Sequence, residues 1–243
     1  MKKLIFLLWI SMLIAGCGKK ESTPTPTGPT VPADAPRFKT HSIIVPAKLA
    51  ASSDAHAQLV AYYMGLANAL SASLPNYFLP PNLRKAVGSE GDGPWEYSWV
   101  EGEATITVKI KAVGDKYLWE VYYSGKRNDQ AVTNWLGVRA EQAKNERSGS
   151  FTSFVPPGTT IAASFVWSLG AANELIFQVE APSFMAGSRF TGQINTDHSG
   201  TLKIEQLVNG VFVLVQSFSW NADGSGSWIE YNGNVITAQG SWN

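Results

Sequence analysis

From residue 94 onward, large apolar residues alternate with polar ones, and this two-residue period constrains the fold more than any other feature. In one such run Ile106, Val108 and Ile110 alternate with threonines and lysines. Successive side chains of a β-strand point to opposite faces, so each run predicts a strand with one buried face. Asn209-Gly210, which favours a tight hairpin turn, joins two of these runs. The sequence therefore predicts a mainly β protein with a long antiparallel meander of roughly ten to twelve strands.

A sheet of this size is too wide to be covered by one helix, because neighbouring strands lie about 4.8 Å apart. It must close on itself, split into two layers or leave an apolar concavity. We predict strong curvature, as a half-barrel or a closed barrel, with one amphipathic helix packed into or across the sheet.

The single helix is predicted before the sheet, over residues 53–74. One face carries large apolar residues at three- and four-residue spacing: Leu59, Tyr62, Tyr63, Leu66, Leu70 and Leu74. A second stripe contains only small residues: Ala57, Ala61 and Gly65. We expect one of the two serines at 52 and 53 to cap the helix, and Pro75 to end it. Residues 38–46 are expected to be a short extended piece, and residues 131–144 fit either strand or coil.

A motif of small residue, glycine, small residue and large residue recurs four times in the sheet: Ser148–Phe151, Ser199–Leu202, Ser225–Trp228 and Gln239–Trp242. We interpret it as a hairpin device in which the glycine satisfies the turn and the large residue enters the core. The four copies are unequally spaced, which excludes a solenoid repeat.

The N-terminus carries a targeting signal. Met1-Lys2-Lys3 is followed by an uncharged apolar run from Leu4 to Met12 and then by Leu13-Ile14-Ala15-Gly16-Cys17. A positive start, a short apolar core and a small-residue cleavage site are the parts of a secretory signal. The last five residues resemble the lipobox of bacterial lipoproteins. This resemblance implies cleavage before Cys17, a diacylglyceryl thioether on its sulfur and acylation of the new N-terminus; an ordinary secretory signal or an uncleaved anchor is the alternative.

The resemblance divides the chain into a signal peptide (1–16), lipidated Cys17 with a Pro/Thr-rich tether (17–51) and a helix-plus-β domain (52–243). Alternating prolines favour an extended tether that holds the domain away from the membrane. Because Gly18 rather than aspartate follows the cysteine, the resemblance implies a place in the cell envelope, in the outer membrane if the host is Gram-negative. Cys17 is the only cysteine, so no disulfide can form within the chain.

Composition excludes nucleic acid as an expected partner. Cleavage removes Lys2 and Lys3 and no acidic residue, which leaves a net charge of about −2. Nucleic-acid-binding domains normally carry a basic patch or stripe instead. With 44% hydrophobic residues the domain can build a core without disulfides.

No catalytic or cofactor motif is present: the sequence has no Gly-x-Ser-x-Gly elbow, phosphate loop or His-Glu-x-x-His helix. Asn221–Gly226 resembles half of a calcium loop, but the remaining EF-hand ligands are missing, so we interpret it as a turn. Glu101 and Glu103 are interpreted as a solvated strand face. We therefore predict no metal, no cofactor and no enzymatic activity, with a hydrolase using an unrecognised carboxylate pair as a lesser alternative.

Tryptophans on the predicted strands are the candidate ligand-binding residues: Trp95, Trp99, Trp119, Trp167 and Trp220. Large aromatics either fill the buried face of a sheet or line a concavity that accepts an apolar or amphipathic ligand. The favoured function is thus a non-enzymatic lipoprotein that binds such a ligand. The alternative is a structural or adhesion lipoprotein that docks another envelope protein through a sheet edge or face.

The order of lipobox, tether, helix and meander is similar to that of lipoprotein-carrier half-barrels and lipocalin-like barrels. The similarity is one of architecture only, so it assigns no site residues.

Overall fold

A computed structural model describes residues 31–32, 35–80, 93–127, 129–182, 185 and 187–243. Three helical elements precede the sheet: α1 (Ala47–Ala50), α2 (Ala55–Ser73) and a 3₁₀ helix (Leu74–Phe78). The remaining elements are strands: β1 (Trp95–Glu101), β2 (Ala104–Val113), β3 (Lys116–Arg127), β4 (Gln130–Ala143), β5 (Ser148–Phe154), β6 (Ile161–Leu169), β7 (Leu175–Glu180), β8 (Ser188–Ile194), β9 (Gly200–Val208), β10 (Val211–Trp220), β11 (Gly226–Asn232) and β12 (Val235–Trp242).

All twelve strands belong to one antiparallel sheet, in which each strand pairs with its neighbours in the sequence. β1 and β12 are its two edges, so the sheet is open. This confirms the predicted mainly β meander of ten to twelve strands with a helix before it. The sheet does not close into a barrel. The segment 131–144, which fitted either strand or coil, lies almost entirely in β4.

α2 begins at a different cap from the one predicted. The N-cap is Asp54, whose carboxylate accepts hydrogen bonds from the backbone N–H groups of His56 (2.8 Å) and Ala57 (3.1 Å). The Oγ of Ser52, two residues before the N-cap, accepts a hydrogen bond from the N–H of Asp54 (3.2 Å) and helps to fix the cap residue. An aspartate at this position suits the positive end of the helix dipole.

The buried face of α2 also differs from the predicted apolar stripe. Its buried residues recur at three- and four-residue spacing: Ala57, Val60, Met64, Ala67 and Ser71. Of the predicted stripe, Leu74 is fully buried, Tyr62 is exposed, and the others are half-buried against the core: Leu59, Tyr63, Leu66 and Leu70. Mostly small residues at the centre let the helix backbone approach the sheet closely, and the larger side chains reach the flanking strands.

α2 and the 3₁₀ helix cross the inner face of the sheet from β11 to β3. Aromatic contacts mark this path: His56 with Trp228, Tyr63 with Phe190, Tyr77 with Phe151, and Phe78 with Trp119. One helical layer therefore spans most of the sheet, because its elements run across the strands and not along them.

Residues 35–46, here called the N-terminal segment, pack beside α2 in neither helix nor strand. The buried side chain of Gln142 clamps the segment: its Oε1 accepts a hydrogen bond from the N–H of Lys39 (3.0 Å), and its Nε2 donates to the Lys39 carbonyl (2.9 Å). Phe38 is buried, and the Ser71 hydroxyl donates to the His41 carbonyl (3.0 Å). Residues 35–46 are thus packed into the domain, although they precede the predicted boundary at 52.

The hairpin turns form two rims. The upper rim joins β1 to β2 and each following odd strand to the next even strand; the lower rim joins β2 to β3 and each following even strand to the next odd strand. The N-terminal segment and α1 lie at the lower rim, where Lys39 forms an ion pair with Glu146 and a backbone atom of Leu49 lies close to Gly224.

Cross-strand pairs of glycine and an aromatic residue recur throughout the sheet: Gly149 with Trp167, Gly192 with Phe177, Gly200 with Trp220, Gly226 with Trp242, and Gly240 with Trp228. At each glycine an added Cβ would collide with the aromatic ring of the pair. The glycine of the recurring motif therefore makes room for a ring on the neighbouring strand, and does not serve only the turn.

Irregularities in β4 and β10 break the alternation that predicted these strands. Asn134 interrupts β4 with a φ of 46°, beside register shifts in its pairing with β3. In β10 the register shifts between Leu214 and Gln216, and Val215, not Leu214, packs against the core. A bulge inserts one residue and thereby reverses which side chains face inward.

Candidate functional site

The predicted lipidation site, Cys17, lies outside the described residues, as do the signal peptide and residues 18–30, 33 and 34 of the tether. Within the part of the chain that the structure describes, no helix is long and apolar enough to cross a bilayer.

The five predicted ligand-binding tryptophans all lie on the inner face of the sheet and are at most 8% exposed. They come from four strands: Trp95 and Trp99 from β1, Trp119 from β3, Trp167 from β6 and Trp220 from β10. Because these strands span nearly the whole width of the sheet, the structure does not bring the five rings together into one site.

Trp95, Trp99 and Trp119 lie at the β1–β3 end of the sheet. The ring of Trp119 packs against Phe38 of the N-terminal segment (5.4 Å between centroids) and Phe78 of the 3₁₀ helix (6.0 Å). These two rings fill the space that a ligand would occupy. The Trp99 indole N–H donates to the Glu101 carboxylate (3.4 Å).

Trp167 and Trp220 lie farther along the sheet, near the lower rim. The imidazole of His41 meets the ring of Trp167 edge-on at 4.7 Å. The indole N–H of Trp220 donates to the carbonyl of His198 (2.9 Å). The indole N–H groups of Trp119 and Trp167 are buried and find no acceptor among the described residues, which is uncommon for a buried donor.

Two shallow clefts lie over the outer face of β9 to β12 instead. Their volumes are about 280 and 350 Å³. The lining includes several serine hydroxyl groups, among them those of Ser217, Ser219, Ser227 and Ser241. The Oγ atoms of Ser219 and Ser227 lie 2.9 Å apart and hydrogen-bond each other, so part of this polar surface is already satisfied within the sheet.

The segment that resembles half of a calcium loop forms a tight turn. Asp223 Oδ1 accepts hydrogen bonds from the Oγ (2.7 Å) and the N–H (2.9 Å) of Ser225. Asp197 makes the same two bonds with Ser199 on the neighbouring turn of the lower rim. In each turn the serine hydroxyl, and then its N–H, hold the pKa of the aspartate below its usual range.

No three metal-binding side chains lie together in the described residues. The three histidines lie in separate parts of the fold: His41 in the N-terminal segment, His56 in α2 and His198 in the turn between β8 and β9. Glu101 and Glu103 are both exposed, as expected for a solvated strand end. Glu103 lies 3.9 Å from the ammonium of Lys126. The hydrolase alternative stays a prediction.

Two surfaces not singled out by the sequence are the outer edge of β12 and the tips of two hairpins at the upper rim. β12 has a paired strand on one side only and no charged residue or proline. The β9–β10 and β11–β12 hairpins expose five large apolar residues: Leu207, Val208, Val211, Val235 and Ile236. One signal was available in the sequence, since Val211 to Val215 are five consecutive large apolar residues that break the alternation.

No family model matches this chain, and no curated protein shows significant similarity to it.

Proposed function

We propose that this chain is a bacterial lipoprotein, held in the cell envelope by a lipid on Cys17, and that its β domain binds an extended segment of another envelope protein. The unpaired edge of β12 carries the second part of the proposal. The lipobox resemblance supports the first part.

The edge of β12 is open to pairing. In an antiparallel ladder, the N–H and C=O groups of alternate residues point away from the paired strand, and at an edge they are available to a further strand. β12 offers eight residues, Val235–Trp242, without charge or proline. Natural proteins normally protect such edges with lysine, proline or a covering segment. An extended peptide is the partner that satisfies a row of backbone donors and acceptors.

The opposite edge differs in this respect. β1 carries Glu96, which forms an ion pair with Lys109 (3.3 Å), and Glu101, and it is preceded by Pro94. Charged residues and proline are the devices that discourage edge pairing. The contrast within one sheet favours β12 as the side that takes a partner.

Photo-crosslinking in cells tests the edge. A crosslinking amino acid at Gln239 should capture one recurrent envelope protein, whereas the same group at Val100, which is 72% exposed on β1, should not. Thr237→Lys with Ser241→Lys should abolish the capture at position 239 without lowering the melting temperature, because both side chains are exposed. Equal capture at both edges, or capture that survives the two lysines, would refute the edge proposal.

The anchor has its own test. Cells fed an alkyne-bearing fatty acid should label the wild-type chain and not the Cys17→Ser variant. A chain with an ordinary cleavable signal in place of residues 1–17 should leave the membrane fraction and remain folded. Labelling of Cys17→Ser would show that lipid is attached elsewhere or not through this motif.

The predicted apolar or amphipathic ligand is a second candidate, favoured by one observation. The buried indole N–H of Trp119 lacks an acceptor in the described residues, and the polar end of a ligand at the β1–β3 end of the sheet would supply one. Such a ligand must displace the 3₁₀ helix or the N-terminal segment, because Phe78 and Phe38 of these elements cover the ring of Trp119. A change in tryptophan emission and melting temperature on adding fatty acids or glycans would support it, and unchanged values across the panel would count against it.

A further inference from the structure

We infer that the apolar tips of the β9–β10 and β11–β12 hairpins form a second membrane contact, which inserts into the lipid interface beside the Cys17 anchor. By apolar tips we mean Leu207, Val208, Val211, Val235 and Ile236. The inference rests on the proposed anchoring at a membrane, but it concerns a different surface and has a separate readout.

The apolar tips are exposed and lie on adjacent hairpins. Val211 and Val235 are 64% and 66% exposed. Single exposed apolar residues are normal on protein surfaces, but a cluster of them marks an interaction site. Residues 206–216 and 231–243 contain no charged side chain. Both hairpins end at the upper rim, so their tips face the same side of the molecule.

The order of residues along the β9–β10 hairpin is that of an element inserted shallowly in a bilayer. The last charged residue before the tip is Glu205, which pairs with Leu214. Leu214 lies three residues from Val211, which is about 10 Å along a β-strand. Between them, Phe212 lies under the guanidinium of Arg189, 4.0 Å from its carbon, and Arg189 donates two 2.8 Å hydrogen bonds to Glu205. An apolar layer about 5–10 Å deep below aromatic and charged groups matches the interfacial region of a membrane.

The other parts of the rims have a different character. Near β1–β4 the upper rim carries an ion-paired cluster in which Lys126 lies 3.2 Å from Asp129 and 3.9 Å from Glu103. The lower rim carries Asp197 and Asp223 in its turns and is covered in part by the N-terminal segment. The β9–β12 side of the upper rim is therefore the side suited to face lipid.

The shape of the apolar tips favours a lipid bilayer over a protein as the binding partner. Gln216 pairs with Glu230, which places Gly210 six residues beyond that pair and Gly233 only three. The β9–β10 tip thus projects farther than its neighbour, by about 10 Å. A bilayer accommodates two projections of unequal length, whereas a protein would need two matched pockets. Without lysine or arginine at the tips, binding should depend on neither anionic lipid nor salt.

The test uses the lipidated full-length mature protein in phosphatidylcholine vesicles. The thioether at Cys17 leaves Asn209→Cys as the only free thiol, and a fluorophore there should be quenched by brominated acyl chains. The same label at Asp197→Cys on the lower rim should not be quenched. Val211→Asp with Ile236→Asp should lower the quenching at position 209 about tenfold, whereas Val113→Asp, an equally exposed position on the lower rim, should leave it unchanged.

The two proposals fail in different ways. If the protein does not float with vesicles, the anchor proposal is wrong. A hexahistidine tag in place of residues 1–17 then holds the module on nickel-chelating vesicles, and the same quenching measurement decides the inference. A vesicle-bound protein whose label at Asn209 is no more quenched than the label at Asp197 overturns the membrane contact, and so does capture of the tips by a protein partner in place of lipid.

Discussion

Replacing Gly149 by alanine tests the packing that lets the sheet curve around α2. Gly149 pairs with Trp167, and a Cβ at this position would lie 2.8 Å from two atoms of the indole ring. Carbon atoms in good contact lie about 3.5–4.0 Å apart. The ring is 2% exposed and meets His41 at 4.7 Å, so it cannot move aside without disturbing the N-terminal segment.

The expected cost follows from this geometry. Overpacking of a well-filled core costs about 1–3 kcal/mol, and in a chain of this size each kcal/mol lowers the melting temperature by roughly 2–4 °C. Urea and thermal unfolding followed by circular dichroism measure both quantities. Gly65→Ala is the matched control, because nothing lies within 4 Å of a Cβ at this exposed helical position. It should stabilise the protein by up to about 1 kcal/mol.

A double-mutant cycle identifies the ring as the cause. Trp167→Phe shortens the side chain, so Gly149→Ala should cost less in that background than in the wild type. If Gly149→Ala is neutral or stabilising like Gly65→Ala, or if the two changes are simply additive, the glycine does not make room for the indole and the reasoning fails.

Three further changes test the clamp, a turn and the core. Gln142→Ala should lower the free energy of unfolding by about 1–3 kcal/mol in urea melts, because the backbone of Lys39 loses both hydrogen bonds; an unchanged midpoint contradicts the clamp. Ser225 lowers the pKa of Asp223, so this carboxylate stabilises the folded state above the ordinary aspartate pKa, and the contribution is lost as pH falls through the lowered value. Asp223→Asn should therefore flatten the acid side of the stability profile, and an unaltered profile would show that the turn contributes nothing. Burial raises the pKa of Tyr123 to about 12, so stability should fall as pH rises above about 10, and Tyr123→Phe should reduce that fall in urea midpoints.

The meander was predictable because the pleat of a strand leaves a direct mark on the sequence. Side chains alternate between faces, and Asn209-Gly210 adopts the left-handed backbone that a type I′ turn needs, with φ values of 51° and 82°. The bulges were not predictable in the same way. Asn134 has no neighbour in sequence that announces a left-handed residue inside β4, and a single inserted residue reverses the alternation beyond it.

The sequence pattern of α2 alone was equally unable to predict which face of the helix is buried. A helix with apolar residues on most of its circumference can turn any of several stripes inward, and the curvature of the sheet decides among them. The fully buried face carries Ala57, Val60, Met64 and Ala67, whereas the larger ring of Tyr62 lies on the exposed side. That curvature arises from twelve strands together, and not from the helix.

The cross-strand glycines distinguish tryptophans that pair with a glycine from those that do not. The alternation of apolar and polar residues in the sequence does not make this distinction. The rings of Trp167 and Trp220 each cover a glycine on a neighbouring strand and so shield the backbone of that strand. Trp99 and Trp119 have no such glycine, and the ring of Trp119 packs against Phe38 and Phe78, which belong to the N-terminal segment and the 3₁₀ helix and not to the sheet. A ligand that displaced these elements would therefore contact the β1–β3 end. Trp119→Phe should then abolish any ligand-induced change in emission that Trp167→Phe leaves intact, and the reverse result would place the ligand elsewhere.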